Sequence, residues 1–381
     1  MKREKINILQ LVDGFRLGGA ETKLLELIKH LDKDKNKITV CSLTSAGSLQ
    51  RDFESVGVKV KVFPRKHRFD VTLIPTLVRF LRKERIDIVQ TTLFYADILG
   101  VIAARIARVP AVISWETISH DHAFYAPRYR RMAYRLAMKF VDRIVAVSKG
   151  VKESLIRGGI TASKIKVIYY GVDLMRFNNQ DNGKCKAEIG LDGVFPVIGV
   201  VARLDKIKGH EYLLRGLTKI VERYPGTKCL FVGDGTYRKA LEKLTQELGL
   251  NNHVLFLGFR NDITCLLNTL DLFVLPSVSE GLPNVVLEAM ACSLPVVATS
   301  VGGVPEILVN KQNGILVPPR DPMAIATAIL ELLDNRERRV SIGLNARKFV
   351  ERKFSLETQV NQFQKLYDYC LMDKSNELYY E

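Results

Sequence analysis

A chain of 381 residues with 57 Lys and Arg against 41 Asp and Glu, 47% hydrophobic residues and 26 Gly has room for two or three domains, each able to bury its own core. Those fractions exclude a small disulfide-stapled module, a collagen-like chain and a mostly disordered one. No stretch approaches the roughly 18 consecutive apolar residues of a membrane-spanning helix; the longest run, 194–202, has the length of a strand.

The N-terminus, Met1-Lys2-Arg3-Glu4-Lys5, runs straight into the strand-like Ile6-Asn7-Ile8-Leu9. That leaves no room for the apolar core of a signal peptide and predicts a chain that stays in the cytoplasm, on or near the inner face of the membrane. Apolar runs at 6–12, 38–43, 58–63, 86–90, 111–115, 143–147 and 166–169 read as strands, with segments of helical period at 21–31, 71–84 and 96–107 between them. A polar connector, 178–184, follows. Strand patterns resume at 194–201, 229–232, 254–257, 272–275, 295–298 and 314–317, and helical patterns at 323–333, 336–350 and 356–371 close the chain. Two such series predict an α/β fold of two Rossmann-like, doubly wound parallel-sheet domains facing a cleft. The expected boundaries are 1–172 and 173–355, with the last helix, about 356–381, a candidate to cross back onto the first domain.

Cutting the chain there makes the charge informative. Residues 1–172 hold 32 Lys and Arg against 16 Asp and Glu, and the remainder holds 25 of each, so the whole formal charge of +16 belongs to the first half. It concentrates at Arg65-Lys66-His67-Arg68 and at Arg128, Arg130, Arg131, Arg135 and Lys139. Such a face attracts nucleic acid, anionic lipid headgroups or an acidic substrate, and a merely solvated basic surface meets the same description. The six cysteines are scattered, without a CxxC pair or a histidine at ligand spacing, and read as small buried hydrophobes in a reducing compartment.

Ligands of open parallel sheets bind beyond the carboxyl ends of strands, so the strand-to-helix loops carry the chemistry. The first of them, Asp13-Gly14-Phe15-Arg16-Leu17-Gly18-Gly19-Ala20-Glu21, offers adjacent glycines free to take positive φ ahead of a helix start, which suits a phosphate and equally suits a tight turn. Its spacing is neither GxGxxG nor that of a P-loop. In the second half, Arg203 and Lys208 lie on the loop after 197–201 and can converge on a diphosphate. After 272–275 comes Pro276-Ser277-Val278-Ser279-Glu280-Gly281-Leu282-Pro283-Asn284-Val285-Val286-Leu287-Glu288-Ala289-Met290-Ala291. Glu280 sits in a Gly/Pro loop, Pro283 suits the first turn of the following helix, and Glu288 shares a side with Asn284 on a largely apolar helix, where a carboxylate needs a partner. A buried salt bridge is the plainer reading of Glu288, and an exposed loop carboxylate that of Glu280.

The spacing Glu280-x7-Glu288 within EGLPNVVLEAMACSLPVVATSVGGVPEIL resembles the donor-site signature of GT-B retaining glycosyltransferases of the large GT4 family. GGAE, VSKGVKESL, IYYGVD, VARLDKIKGHEYLLRG, FVGDG and VLFLGFRNDI extend the likeness over most of the chain. The resemblance implies that amides near Gly18 and Gly19, with Arg203 and Lys208, close on the diphosphate of an NDP-sugar, UDP-linked by preference. It implies that Glu280, with the amides of Gly281, Leu282 and Asn284, meets the sugar, that Glu288 accepts from the ribose, and that the backbone at Phe259 and Arg260 meets the base. It further implies transfer without a metal or other cofactor, Arg203 and Lys208 taking the neutralising role, with Glu280, Arg203, Lys208 and His120 as candidate catalytic residues. The departure is at the end of the strand 111–115: many relatives carry a histidine there, and this chain carries Glu116, with His120 and His122 a few residues on.

The implied activity is retaining transfer of a sugar to a hydroxyl acceptor, held by the first half. The aromatic residues interleaved with Arg and Lys at 124–140 favour docking on an anionic membrane surface and a glycan or lipid-linked acceptor in cell-envelope polysaccharide synthesis. A nucleotide-sugar epimerase and a catalytically silent nucleotide-sugar sensor share the same cradle. A nucleic-acid partner is not expected, since no helix-turn-helix, zinc or RNP-type pattern accompanies the basic half.

Overall fold

The computed structural model of the protein describes residues 5–16, 18–44, 47–119, 127–179 and 183–377. The chain forms two compact units: one runs to Tyr170 and resumes at Glu357, and the other spans Gly171–Leu356.

In the first unit strands and helices alternate: β1 Ile6–Val12, α1 Gly19–His30, β2 Asn36–Ser42, α2 Gln50–Ser55, β3 Lys59–Val62, α3 Leu73–Lys83 and β4 Ile88–Thr92. The series continues with α4 Phe94–Ala107, β5 Ala111–Glu116, α5 Arg128–Lys139, β6 Arg143–Ala146, α6 Lys149–Arg157 and β7 Ile165–Val167. The strands pair in parallel in the order β3-β2-β1-β4-β5-β6-β7. Every residue of β4 and β5 is buried, as expected where crossover helices cover both faces of a parallel sheet.

The second unit contains α7 Gly183–Glu188, β8 Val197–Val201, α8 His210–Arg223, β9 Lys228–Val232, α9 Arg238–Glu247, β10 Val254–Gly258 and α10 Ile263–Asn268. It continues with β11 Leu272–Leu275, α11 Asn284–Ala291, β12 Val296–Thr299, α12 Val304–Ile307, β13 Ile315–Val317, α13 Pro322–Asp334 and α14 Arg336–Lys353. Its sheet runs β10-β9-β8-β11-β12-β13, again parallel. Leu213, Leu214 and Leu217 of α8 meet Ile325, Ile329 and Leu332 of α13 in a core closed by Ile198, Val200 and Phe231. Burying each such side chain contributes roughly 1.5–3 kcal/mol. The strand expected from 194 starts only at Val197, because Pro196 has no N–H for the ladder; the Val197 amide donates to Asp271 Oδ2 at 2.8 Å.

The final helix, α15 Leu356–Glu377, belongs to the first unit from Glu357 on. Its buried stripe, Phe363, Leu366, Tyr367 and Cys370, follows the helical period. Phe363 packs edge-on against Trp115 with ring centroids 4.9 Å apart. The Tyr367 hydroxyl donates to Gln90 Oε1 at 2.8 Å and accepts from Gln10 Nε2 at 3.1 Å, which pins the helix over β1 and β4.

The reading of all six cysteines as unpaired is corrected at two positions. Cys185 of α7 and Cys265 of α10 are joined as a disulfide, 80 residues apart in sequence and with Cα atoms 6.0 Å apart. Cys41, Cys229, Cys292 and Cys370 are buried outside any disulfide. No spacing rule reaches a pair that only the packing of α7 beside α10 brings together.

Candidate active site

Each sheet reverses its winding once, between β1 and β4 and between β8 and β11, and a crevice opens beyond the carboxyl ends at such a point. In the second unit the loops flanking this point carry Arg203 and Lys208 after β8 and Glu280 after β11. They are tied together: the Val278 amide donates to the Ile207 carbonyl at 2.8 Å. Lys208 Nζ donates to both oxygens of Glu280 at 2.7 and 2.9 Å, and Ser277 Oγ donates to Glu280 Oε1 at 2.6 Å. The pair is poorly solvated, the side chains being 22% and 8% exposed, so its charges act in a medium less screening than water. Two of the three ammonium donors are directed at Glu280, and one is left for another acceptor.

Glycines let these loops approach. A Cβ on Gly209, at φ +66°, would stand 2.0 Å from the Pro276 carbonyl oxygen, and one on Gly302, at φ +53°, would stand 1.9 Å from that of Glu280. Behind Gly209, His210 opens α8 with its ring against Phe231. Burial, aided by the Lys208 charge, pushes its imidazole down to about 4, and neither ring nitrogen bonds to a described residue.

Arg203 lies on the same loop, largely exposed, with Nη2 3.0 Å from Asp205 Oδ2. A pair this solvated holds weakly, so the guanidinium can swing to another anion at little cost. Gly281, Leu282 and Asn284 lead into α11, whose first turn presents backbone donors. Pro283 precedes that helix as its N-cap, at φ −77° and ψ 108°, one position earlier than expected. Glu288 is half-buried on α11, close enough to raise the Cys292 thiol, which burial already pushes up to about 12. The far end of α11 is held by a residue without a sequence signal: Arg347 of α14 donates to the carbonyls of Ala291 and, at 2.7 Å, of Phe177. Phe259, 57% exposed, and Arg260 follow β10; the Arg260 guanidinium bonds Asp262 and holds its carboxyl below the usual range.

In the first unit Gly18 is the N-cap of α1 and Gly19 its first residue. Neither glycine takes the positive φ allowed for above: Gly18 is extended at φ −151°, and its missing Cβ leaves room for Glu21 Oε2, which would lie 2.5 Å away. Glu116 is buried at the end of β5 and accepts from Ser114 Oγ at 2.5 Å; Ser114 also bonds Asp97 at 3.1 Å, and Thr91 Oγ1 donates to Asp97 at 2.6 Å. Burial raises both carboxyls, Asp97 further through its charged neighbour Glu116. His120 and His122 lie outside the described residues. An Asp-x-Asp sequence, Asp32-Lys33-Asp34, lies between α1 and β2, where Asp32 Oδ1 accepts the Asp34 and Lys35 amides at 2.8 and 3.3 Å.

Asp13, at the end of β1, accepts the Ala96 and Tyr95 amides at 2.7 and 3.3 Å. Burial lifts its carboxyl to about 6, against the pull of those amides and of Arg65. A carboxyl raised on folding favours the folded state while protonated, and that contribution fades as pH rises through the folded value. The stability difference between Asp13→Asn and wild type, from urea midpoints, is therefore expected to move in the variant's favour between pH of about 4 and about 6. A constant difference would show that the carboxyl keeps its unfolded pKa.

Two all-parallel sheets with charged loops gathered at a switch point describe the GT-B class of nucleotide-sugar enzymes. Residues 182–349 match the family model of Glycosyl transferases group 1, and residues 17–176 that of Glycosyltransferase Family 4. The chain is 31% identical over 317 residues to the UDP-Gal:α-D-GlcNAc-diphosphoundecaprenol α-1,3-galactosyltransferase of Escherichia coli, covering 80% of this chain and 81% of that one. It is 37% identical over 232 residues to an uncharacterized glycosyltransferase of Methanocaldococcus jannaschii, a match spanning 59% of the length of each. Anabaena HepE, solved with UDP-glucose, superposes with a TM-score of 0.86 at 27% identity over 95% of this chain and 99% of that one. The protein belongs to this family and is a glycosyltransferase of the GT-B fold.

Proposed function

We propose that the protein moves a sugar from a UDP-sugar to a hydroxyl of a glycan or lipid-linked acceptor, with retention at the anomeric carbon, in cell-envelope polysaccharide synthesis. The Lys208–Glu280 pair at the β8/β11 switch point carries this reading, because it sets a cation for a diphosphate beside a carboxylate for sugar hydroxyls. The UDP-glucose held by the Anabaena protein and the UDP-Gal and diphosphoundecaprenol named for the Escherichia coli enzyme support it. The bond from the anomeric carbon to the diphosphate oxygen breaks while the acceptor oxygen bonds to that carbon on the same face, and the acceptor proton passes to the departing phosphate. Lys208 and Arg203 balance the charge that develops there, so no divalent metal is required. Glu280 orients the sugar, Glu288 accepts from the ribose, the backbone at Phe259 and Arg260 meets the base, and the amides at Gly18 and Gly19 meet the phosphates.

Docking on an anionic membrane is supported by α5. Tyr129, Met132, Leu136 and Phe140 are 49–72% exposed and recur every three or four residues, flanked by Arg128, Arg131 and Arg135. No described helix is long and apolar enough to cross a membrane.

Thermal unfolding with UDP, GDP or ADP, with and without EDTA, tests the donor reading. Selective stabilisation by UDP of about 2.7 kcal/mol at a hundredfold excess over Kd is expected, insensitive to EDTA and reduced in Glu288→Ala. Equal response to all three nucleotides, or dependence on the metal, would refute it. In the same preparations, flotation with phosphatidylglycerol vesicles is expected to carry the wild type and to lose Met132→Asp.

A further inference from the structure

The disulfide of the second unit sits beside the loop that the donor reading assigns to the base. Phe259, Arg260 and Asn261 lead from β10 towards α10, and among the described residues no backbone hydrogen bond holds them. The loop therefore depends on its two ends. On one side Gly258 closes β10 in the left-handed region at φ +66°, its carbonyl accepting the Gly233 amide at 2.8 Å. On the other stands α10, whose six residues are too few to form a stable helix alone. It is anchored by the buried Leu266 and Leu267, by the bond at Cys265, and by Asn268, whose Nδ2 donates to the Asn178 carbonyl at 3.0 Å.

The covalent part of that anchor comes from α7. Cys185 is bonded to Cys265, and Asp262, the N-cap of α10, binds the Arg260 guanidinium at 2.8 Å. Glu188, one turn beyond Cys185, adds its own electrostatic pull on Arg260 to the stronger one of Asp262. The helix that carries Cys185 thus reaches the loop by a bond and by a charge.

The pair also stands apart chemically from the other cysteines. Burial raises the thiols of Cys41, Cys229 and Cys292, which leaves them poor nucleophiles, and Cys370 is buried as well. Cys185 is buried too, whereas Cys265 is only half-buried, which leaves the α10 side of the bond open to an attacking thiolate.

We propose that Cys185–Cys265 is a thiol-exchange site, opened and closed by a low-molecular-weight thiol and its disulfide, and that its state sets the affinity for the nucleotide. A thiolate attacks Cys265 Sγ, forming a mixed disulfide and releasing Cys185 as a thiolate, which takes up a proton. A second thiolate attacks the small-molecule sulfur of that mixed disulfide and releases Cys265, which is protonated in turn. Two thiols thereby become one small disulfide, and the protein disulfide becomes two thiols. With the bond open, α10 keeps only its apolar anchors and Asn268, and the loop at Phe259 and Arg260 has to be ordered when the base arrives, at a cost in affinity. This role rests on the UDP-sugar reading and adds regulation to it.

The test compares the full chain equilibrated with glutathione disulfide and with millimolar glutathione, the thiols being counted after unfolding. Calorimetric titration is expected to show UDP binding roughly three- to tenfold more weakly to the reduced form, the cost of ordering one or two side chains, and re-oxidation restores the affinity. The double substitution Cys185→Ser with Cys265→Ser binds UDP as the reduced wild type does, whichever glutathione form is present. Without nucleotide, deuterium uptake by 259–268 rises on reduction. The site is overturned if the two glutathione forms do not interconvert disulfide and dithiol, if uptake by 259–268 is unchanged, if both forms bind UDP equally, or if the double variant still responds. Should that variant fail to fold, the two wild-type forms decide. Absence of UDP binding in both forms, with uptake at 259–268 still responding to reduction, would count against the donor reading and not against the exchange site.

Discussion

Lys208→Ala is expected to lower kcat/KM by roughly 10²–10³-fold, about 2.7–4 kcal/mol of transition-state stabilisation, the range found when one donor to a developing oxyanion is removed. The ammonium is anchored on Glu280 within hydrogen-bonding distance of both carboxylate oxygens and is only partly solvated, so little reorganisation is needed as charge grows on the departing diphosphate. Removing it also strips the Glu280 carboxylate of its cation, leaving the hydrogen bond from Ser277 and misplacing the group proposed to orient the sugar. The loss is therefore expected in kcat as well as in the KM for the donor. Lys206, exposed on the same loop, is the control, and its alanine variant retains wild-type turnover. Retention of activity within a few-fold in Lys208→Ala would remove this residue from the mechanism.

Gly302→Ala is the second large effect. A methyl group there would meet the Glu280 carbonyl oxygen at 1.9 Å, and the backbone is already left-handed at φ +53°. The left-handed conformation alone costs about 1–3 kcal/mol for a residue other than glycine. The clash adds to it by pushing out the loop that bears Glu280, so kcat/KM is expected to fall by roughly 100-fold or more, as an ångström of misplacement can do. Gly249→Ala separates the two causes: it lies in the same unit at φ +69° with nothing within 4 Å of the added carbon. It is expected to lower the melting temperature and leave kcat unchanged. Equal activity losses in the two variants would mean that backbone strain alone, and not access of Gly302 to the Glu280 loop, is what matters.

Much of the architecture is legible along the chain, because a parallel strand buried on both faces writes itself as an unbroken apolar run and an amphipathic crossover helix as a period of 3.6. The expected runs at 6–12 and 272–275 coincide with β1 and β11, and those at 38–43, 111–115 and 295–298 differ from their strands by one or two residues. Differences are larger where one residue decides the ladder, as Pro196 does before β8. The chemistry carried by local spacing is legible as well: Glu280 and Glu288 lie eight residues apart on one loop and helix, and Gly/Pro punctuation marks where that helix begins.

Contacts between distant parts of the chain were out of reach of any such reading. Lys208 and Glu280 are 72 residues apart and meet only because β8 and β11 are neighbours in the sheet. Cys185 and Cys265 meet across α7 and α10, and Arg347 reaches the end of α11 because Gly343, whose missing Cβ would stand 2.1 Å from the Ser293 carbonyl oxygen, lets α14 lie against it. The sequence by itself determined the two sheets, the family and the positions of the charged loops, since burial and turn chemistry act on neighbouring residues. Only the tertiary structure decided which cation faces which carboxylate, which cysteines pair, and that α15 packs on the first unit, since strand order and helix packing bring together groups whose separation along the chain carries no signal.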